Sequence, residues 1–333
     1  MWSTLDAALP GTKRELAAVA DRSADEIALN RNSSEGLSTA IFGIPLSADD
    51  EVLISAWDYP SVRAAWLQRQ RREGIKVVTV DFDVMDDNDI VVKAYEQAIS
   101  SRTRVMQLTH MLHWTGRVLP VKRLCSLART NDVITVVDGA QTFAQMPVSF
   151  RETDCDFFAT SLHKWLGAPV GNGMLIVKQS RIDETWPLLA PFDPPPLRID
   201  KFDHWNLGTC NSAVQAGIAP AIRFREEIGT NNVHARLREL TRYWTTIARD
   251  VRGFRLHTPM DTNDLAAVSL FSIDGMDARK IEAELRNTWQ VHVKRRSVQG
   301  LDGIRVSPHI YMQKSELDVF VEALRQVVKL GSA

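Results

Sequence analysis

The chain has 333 residues, 44% hydrophobic and 24% charged, and its 40 basic and 41 acidic side chains leave a net charge of −1. That length accommodates about two domains with ample core, and the mixture is that of a globular protein rather than a disordered one. The balanced charge speaks against nucleic acid as a partner, because phosphate recognition normally shows as a basic excess or stripe.

No run approaches the ~20 apolar residues that a bilayer crossing needs, so no membrane partner is expected. The start of the chain lacks the basic and apolar blocks of a signal peptide. Cys125, Cys155 and Cys210 are odd in number and widely spaced, giving neither a disulfide framework nor zinc spacing. They read as reduced thiols of a cytoplasmic protein.

In chain order, a short helical pattern over 13–21 precedes a strand at 26–29. Further strands are predicted at 52–55, 76–80, 105–109, 133–137, 156–159 and 174–177. Helical periods at 61–72, 90–100 and 121–130 separate most of them. Such alternation means βαβ units and a mostly parallel sheet covered on both faces, with ligands at the carboxyl ends of its strands. The pattern breaks over 187–203, where Pro191, Pro194, Pro195 and Pro196 exclude regular helix. Helical patterns resume at 212–227 and 233–249. The elements at 266–271, 278–287, 291–294, 304–307 and 315–328 read as a small α+β domain.

Four places carry chemistry, each at a strand end or helix start. In Val136-Val137-Asp138-Gly139-Ala140-Gln141 a β-branched strand ends in a carboxylate at the ligand edge of the sheet. Taken alone, Asp138 reads equally well as a helix cap. In Thr160-Ser161-Leu162-His163-Lys164, followed by Gly167 and Gly171, hydroxyl and imidazole groups flank an amine. A lone lysine is ordinarily a solvated charge. A lysine one βαβ step beyond a strand-end aspartate, inside an anion cradle, instead points to a Schiff base with a phosphorylated aldehyde cofactor.

The third place, Arg31-Asn32-Ser33-Ser34-Glu35-Gly36, opens a helix, and its free N–H groups make either an anion site or an ordinary serine cap. In the fourth, Gly303-Ile304-Arg305-Val306, the arginine suits a substrate carboxylate or a plain ion pair.

Together these motifs, with Asp58-Tyr59-Pro60, 109–120 and 202–211, resemble the class V aminotransferase branch of fold type I pyridoxal phosphate (PLP) enzymes. That family also holds cysteine desulfurases and isopenicillin N epimerase-like proteins, and the wording around Tyr59 is most similar to the epimerase-like branch. The resemblance implies an α/β fold with a mostly parallel seven-stranded sheet in a large PLP-binding domain, 1–228, and a small C-terminal α+β domain, 229–333. It further implies a homodimer with its active site at the interface and an amino-acid or amine substrate.

Residue roles follow from the same resemblance. Lys164 matches the Schiff-base lysine and Asp138 the partner of the pyridinium nitrogen. Gln141 matches the donor to the cofactor's phenolic oxygen, and Tyr59 the ring stacked on the pyridine. Ser34, Ser161 and His163 match the phosphate cup, with backbone contacts from Ser33. Thr209 matches a threonine that reaches the neighbouring subunit's phosphate, Arg305 the substrate-carboxylate arginine, and His113 a position lining the site. His204 and Trp205 are expected near its border.

His110 and His113 have the spacing of a metal pair but no third ligand, so no metal is expected. The stretch 290–304 lacks the loop cysteine of cysteine desulfurases, which sets the expectation against that activity. Aminotransferase-type chemistry is the leading expectation. Isopenicillin N epimerase-like epimerisation or C–S lyase chemistry comes second, and a PLP-binding but inactive or truncated homologue third. Relatives of this kind carry a longer stretch before the helix near Lys13, including a glycine-bearing segment over the substrate. Only twelve residues precede Lys13 here, which implies either a misassigned start or a naturally short chain with a more open active-site mouth.

Overall fold

The structure, a computed structural model, describes residues 2–190, 192–208, 211–260 and 263–331, with side chains from residue 7 onward. The chain divides into two compact units. The first is Met1–Phe82, Asp87–Met111 and Leu119–Gly229; the second is Asp83–Asp86, Leu112–Val118 and Thr230–Ala333.

The first unit is built on seven strands: β1 (Ile27–Asn30), β2 (Glu51–Ser55), β3 (Lys76–Val80), β4 (Thr103–Thr109), β5 (Ile134–Asp138), β6 (Phe157–Ser161) and β7 (Gly173–Val177). Their order across the sheet is β1-β7-β6-β5-β4-β2-β3. β7 runs antiparallel to both neighbours, and the other pairings are parallel. Strands β1, β2, β6 and β7 are buried at every position, as expected for a sheet with helices on both faces. Trp66, Ile41, Val136 and Phe157 belong to the core beneath these helices.

Local sequence fixes the helix ends. Helix Pro60–Glu73 starts with proline, whose missing N–H needs no partner there, and stops at Gly74 in the left-handed region (φ 77°). Helix Ser33–Gly43 is capped by the Asn32 side chain, which accepts from the Glu35 amide at 3.0 Å. The first helix spans Trp2–Val19, longer than the predicted 13–21, because Pro10 is accommodated inside it.

The parallel direction has one functional consequence. The carboxyl ends of β1, β4, β5 and β6 and the amino end of β7 share one edge. That edge therefore carries Asn30, Thr109, Asp138, Ser161 and Gly173. Asp138 pairs in register with Thr109 on one side and Ala159 on the other.

The second unit holds an antiparallel sheet of β8 (Phe254–Leu256), β9 (Ser269–Ile273), β10 (Lys294–Val298) and β11 (Leu301–Val306), ordered β10-β11-β9-β8. Helices Thr230–Ile247, Ala278–Trp289 and Lys314–Gly331 complete it. The Trp244 ring centroid lies 5.6 Å from Phe320, 5.8 Å from Phe271 and 6.1 Å from Phe254. These separations are typical of favourable aromatic packing.

Two predicted elements move, and one strand is new. The strand placed at 291–294 is Lys294–Val298, because Gln299 and Gly300 both take positive φ (48° and 78°) and close a two-residue hairpin onto β11. The single helix over 212–227 is two, Ser212–Ala216 and Ile218–Ile228, since Pro220 has no N–H to carry the ladder across the join. β8 is an element that the polar alternation of Phe254-Arg255-Leu256 did not announce.

Candidate active site

The strand-edge geometry brings most of the sequence-predicted residues of the first unit together. Asp138 ends β5 and is buried, and its Oδ1 accepts from the Ala140 amide at 2.9 Å. Burial raises its pKa, while that hydrogen bond and the Lys164 charge pull it back toward ionisation. Gly139 must lack a side chain, because a Cβ there would overlap the Phe158 ring. The tight turn that presents Asp138 and Gln141 therefore rests on this residue.

Lys164 sits in the turn after β6, its amide donating to the Ser161 carbonyl at 3.2 Å. One residue earlier, a His163 ring nitrogen lies 3.1 Å from the Asn172 carbonyl. Asn172 is pinned by hydrogen bonds to Pro169 O at 3.0 Å and Val214 O at 2.8 Å. One residue later, the Trp165 indole N–H donates to Gln141 Oε1 at 2.8 Å. Sequence reasoning gave Trp165 no part in the site.

Ser161 Oγ donates to Ser33 Oγ at 3.0 Å and accepts from the Ser33 amide at 2.9 Å. Two hydroxyls and the start of the eleven-residue helix Ser33–Gly43 thus converge. The hydroxyl contact belongs to Ser33, from which only backbone contacts were expected; Ser34 is exposed in the first turn.

Tyr59 occupies the cap position of helix Pro60–Glu73 and is 42% exposed. Asp58 beside it is fully buried; its Oδ2 accepts from the Ser55 amide at 2.7 Å and its Oδ1 from the Thr109 hydroxyl at 2.6 Å. Burial, with a small contribution from the Asp138 charge, pushes the Asp58 pKa up to about 7 against the opposing hydrogen bonds from Thr109 and Ser55 and the weaker pull of Arg63. His110 is buried, its pKa lowered to about 4 by desolvation, and its amide donates to the Asp138 carbonyl at 2.9 Å. It is a neutral packing residue. Among the described residues no group of three or more His, Cys, Asp or Glu side chains could hold a metal.

His113 and Arg305 belong to the second unit, where an Arg305 guanidinium nitrogen donates to the His113 carbonyl at 3.1 Å. Thr209 lies outside the described residues. His204 and Trp205, expected at the border of the site, have structural partners. A His204 ring nitrogen lies 3.1 Å from the Leu29 carbonyl, and Trp205 stacks under Lys13 with its centroid 5.1 Å from Nζ. Lys13 in turn bonds the buried Asp203 at 2.6 Å.

A strand-edge lysine, a buried carboxylate one strand away and a hydroxyl-lined helix start define a fold type I cofactor scaffold. The chain belongs to the class V aminotransferase family, which it matches over residues 4–320 and whose cofactor is pyridoxal 5'-phosphate. It is 28% identical over 315 residues to the isopenicillin N epimerase of Streptomyces clavuligerus, covering 90% of this chain and 79% of that one. To the isopenicillin N epimerase of Amycolatopsis lactamdurans it is 30% identical over 304 residues, covering 85% and 75%. A probable cysteine desulfurase of Halalkalibacterium halodurans is 25% identical over 322 residues, covering 91% and 78%.

In fold, the cysteine desulfurase CsdA of Escherichia coli superposes with a TM-score of 0.85 at 22% identity, covering 98% of this chain and 85% of that one. The cystine C–S lyase C-DES gives 0.86 at 19% identity, covering 97% and 87%. Cysteine desulfurases thus stand among the near relatives, which runs against the expectation drawn from the missing loop cysteine. No described helix is long and apolar enough to cross a membrane.

The residues present fit the cofactor. Gly173 is a close approach, since a Cβ there would come within 2.6 Å of Asn30 Oδ1 and the Asn32 backbone, and it lets the strand edge pack against the helix start. Both polar atoms of the buried Asn30 side chain lack hydrogen-bond partners among the described residues. Two serine hydroxyls and a helix start suit a phosphate dianion, and a buried carboxylate suits a pyridinium N–H.

Proposed function

We propose that this chain is a PLP-dependent enzyme that moves the α-proton of an amino acid or related amine, with Lys164 as both cofactor anchor and proton carrier. The observation that supports it most is the shared strand edge. Asp138 and Ser161 end neighbouring strands, and Lys164 follows Ser161 within one turn whose charge acts on the Asp138 carboxyl.

Bound PLP supplies an electron sink conjugated to the substrate's α-carbon. The protein's part is to hold, orient and transfer protons. Ser33, Ser34, Ser161 and the backbone at the helix start would bind the phosphate, aided by His163. The Asp138 carboxylate accepts a hydrogen bond from the pyridine nitrogen and keeps it protonated. Gln141 Nε2 donates to the ring oxygen, and Tyr59 covers one ring face. Once displaced by substrate, the Lys164 amine takes the α-proton and returns it. A proton that Lys164 returned to the cofactor side would give transamination, whereas epimerisation would need a second donor on the opposite α-face.

Transamination needs only Lys164 and is our leading reading. Epimerisation is the second, favoured by the likeness to two isopenicillin N epimerases. In either case Arg305 is assigned to the substrate carboxylate and His113 to the lining of the site. Thr209 is assigned to the phosphate of a second copy in a homodimer.

The test is a panel of L- and D-amino acids added to PLP-loaded protein. Pyridoxamine phosphate formation supports transamination, and loss of optical activity without it supports epimerisation. Release of sulfide, persulfide or pyruvate refutes both in favour of lyase or desulfurase chemistry. A protein that takes up no PLP refutes the whole reading.

A further inference from the structure

The two turns that carry Asp138 and Lys164 are joined by one side-chain hydrogen bond, from Trp165 Nε1 to Gln141 Oε1 at 2.8 Å. An indole N–H can only donate. The amide atom facing it must therefore be the oxygen, and Gln141 has its orientation chosen for it. Its remaining group is the NH₂, which makes no hydrogen bond among the described residues. The Gln141 backbone is held as well, because the Gln145 side-chain amide donates to its carbonyl. Trp165 is buried, so water does not compete freely for the contact.

We propose that Trp165 is a positioning residue which locks the Gln141 side chain so that an N–H, never the carbonyl, is offered to the cofactor's ring oxygen. The inference rests on the reading that Lys164 anchors PLP. It assigns a task to the residue after the lysine, a place where a leucine or phenylalanine would leave Gln141 free to present either end. A glutamine that flips would set a carbonyl oxygen against an oxygen anion, and that repulsion would weaken the site.

The consequence is electrostatic. A ring oxygen that loses its donor becomes more negative and holds a neighbouring proton more tightly. The pH midpoint at which the bound cofactor's visible band titrates should therefore rise. One ordinary hydrogen bond corresponds to about half to one pH unit, a three- to tenfold change in proton affinity.

The experiment is a double-mutant cycle on PLP-loaded protein using Trp165→Phe, Gln141→Leu and the pair, read by absorbance against pH. Each single variant should raise the midpoint, and the pair should rise no further than Gln141→Leu alone. A Trp165→Phe midpoint equal to wild type would overturn the inference. So would a Trp165→Phe shift that persists undiminished in the Gln141→Leu background, since it would reveal a packing role only.

A second arm needs no cofactor. The Trp165 indole N–H resonance should be protected from exchange in wild type and lose that protection in Gln141→Leu; unchanged protection refutes the contact. Wild-type protein that takes up no PLP overturns the parent reading and this inference with it. Normal uptake with flat midpoints overturns the inference alone.

Discussion

Replacing Asp58 by asparagine should make the protein relatively more stable as pH rises. The Asp58 carboxyl is fully buried and accepts from the Ser55 amide at 2.7 Å and from the Thr109 hydroxyl at 2.6 Å. Its pKa is about 7, against a usual value of 3.8. Between these two values the native state keeps a proton that the unfolded state has released. The associated stability is therefore fully present below about pH 4 and is lost as pH climbs through 7. A difference of about three pH units corresponds to roughly 4 kcal/mol at full titration, an order-of-magnitude figure.

Asparagine mimics the neutral acid, since its oxygen can accept from Ser55 and its NH₂ can donate to the Thr109 oxygen once that hydroxyl, the donor in the structure, turns away. The Asp58→Asn protein should accordingly lie within ~1 kcal/mol of wild type near pH 4. It should gain several kcal/mol relative to wild type by pH 8. Urea unfolding of the cofactor-free proteins between pH 4 and 8, followed by tryptophan fluorescence, measures the difference, and titrations remote from Asp58 cancel. A constant difference, or an asparagine variant that falls behind as pH rises, would refute the assignment of Asp58 as a neutral acid.

Ser161→Ala removes the hydroxyl that both donates to and accepts from Ser33. PLP affinity measured by equilibrium dialysis should fall about tenfold, the worth of one charge-assisted hydrogen bond, and unchanged affinity would remove Ser161 from the phosphate cup. Arg225 on helix Ile218–Ile228 is buried, and its three guanidinium nitrogens have no hydrogen-bond partner among the described residues. Desolvation lowers its pKa to about 10. Arg225→Leu should therefore raise the unfolding free energy by about 1–4 kcal/mol in the same urea assay, whereas a loss would show that the guanidinium has an acceptor in solution.

The sheet was legible because its strands are short β-branched runs separated by helical periods, and burial on both faces leaves that contrast undiluted. Asp138, Ser161 and Lys164 were legible for the same reason, as strand ends point to the ligand edge. The hairpin of β10 and β11 was misplaced because Arg295 and Arg296 obscure the strand, while the deciding signal is the positive φ at Gln299 and Gly300. Trp165 and Asp58 were not assigned roles, and neither could have been from periodicity. Their significance lies in contacts across 24 and 51 residues of sequence, to Gln141 and Thr109, which only the assembled sheet brings together. The paired serines show a subtler limit. Adjacent residues of one type cannot be told apart until the helix phase is known, and that phase turns Ser33 inward and Ser34 outward.

The central claim is that Lys164 anchors the cofactor. The most direct measurement is borohydride reduction of protein incubated with PLP, followed by peptide mass mapping in wild type and Lys164→Ala. The account predicts one reduced pyridoxyl adduct per chain, on Lys164, and none in the alanine variant. An adduct on another lysine, or equal labelling of the Lys164→Ala protein, would contradict it.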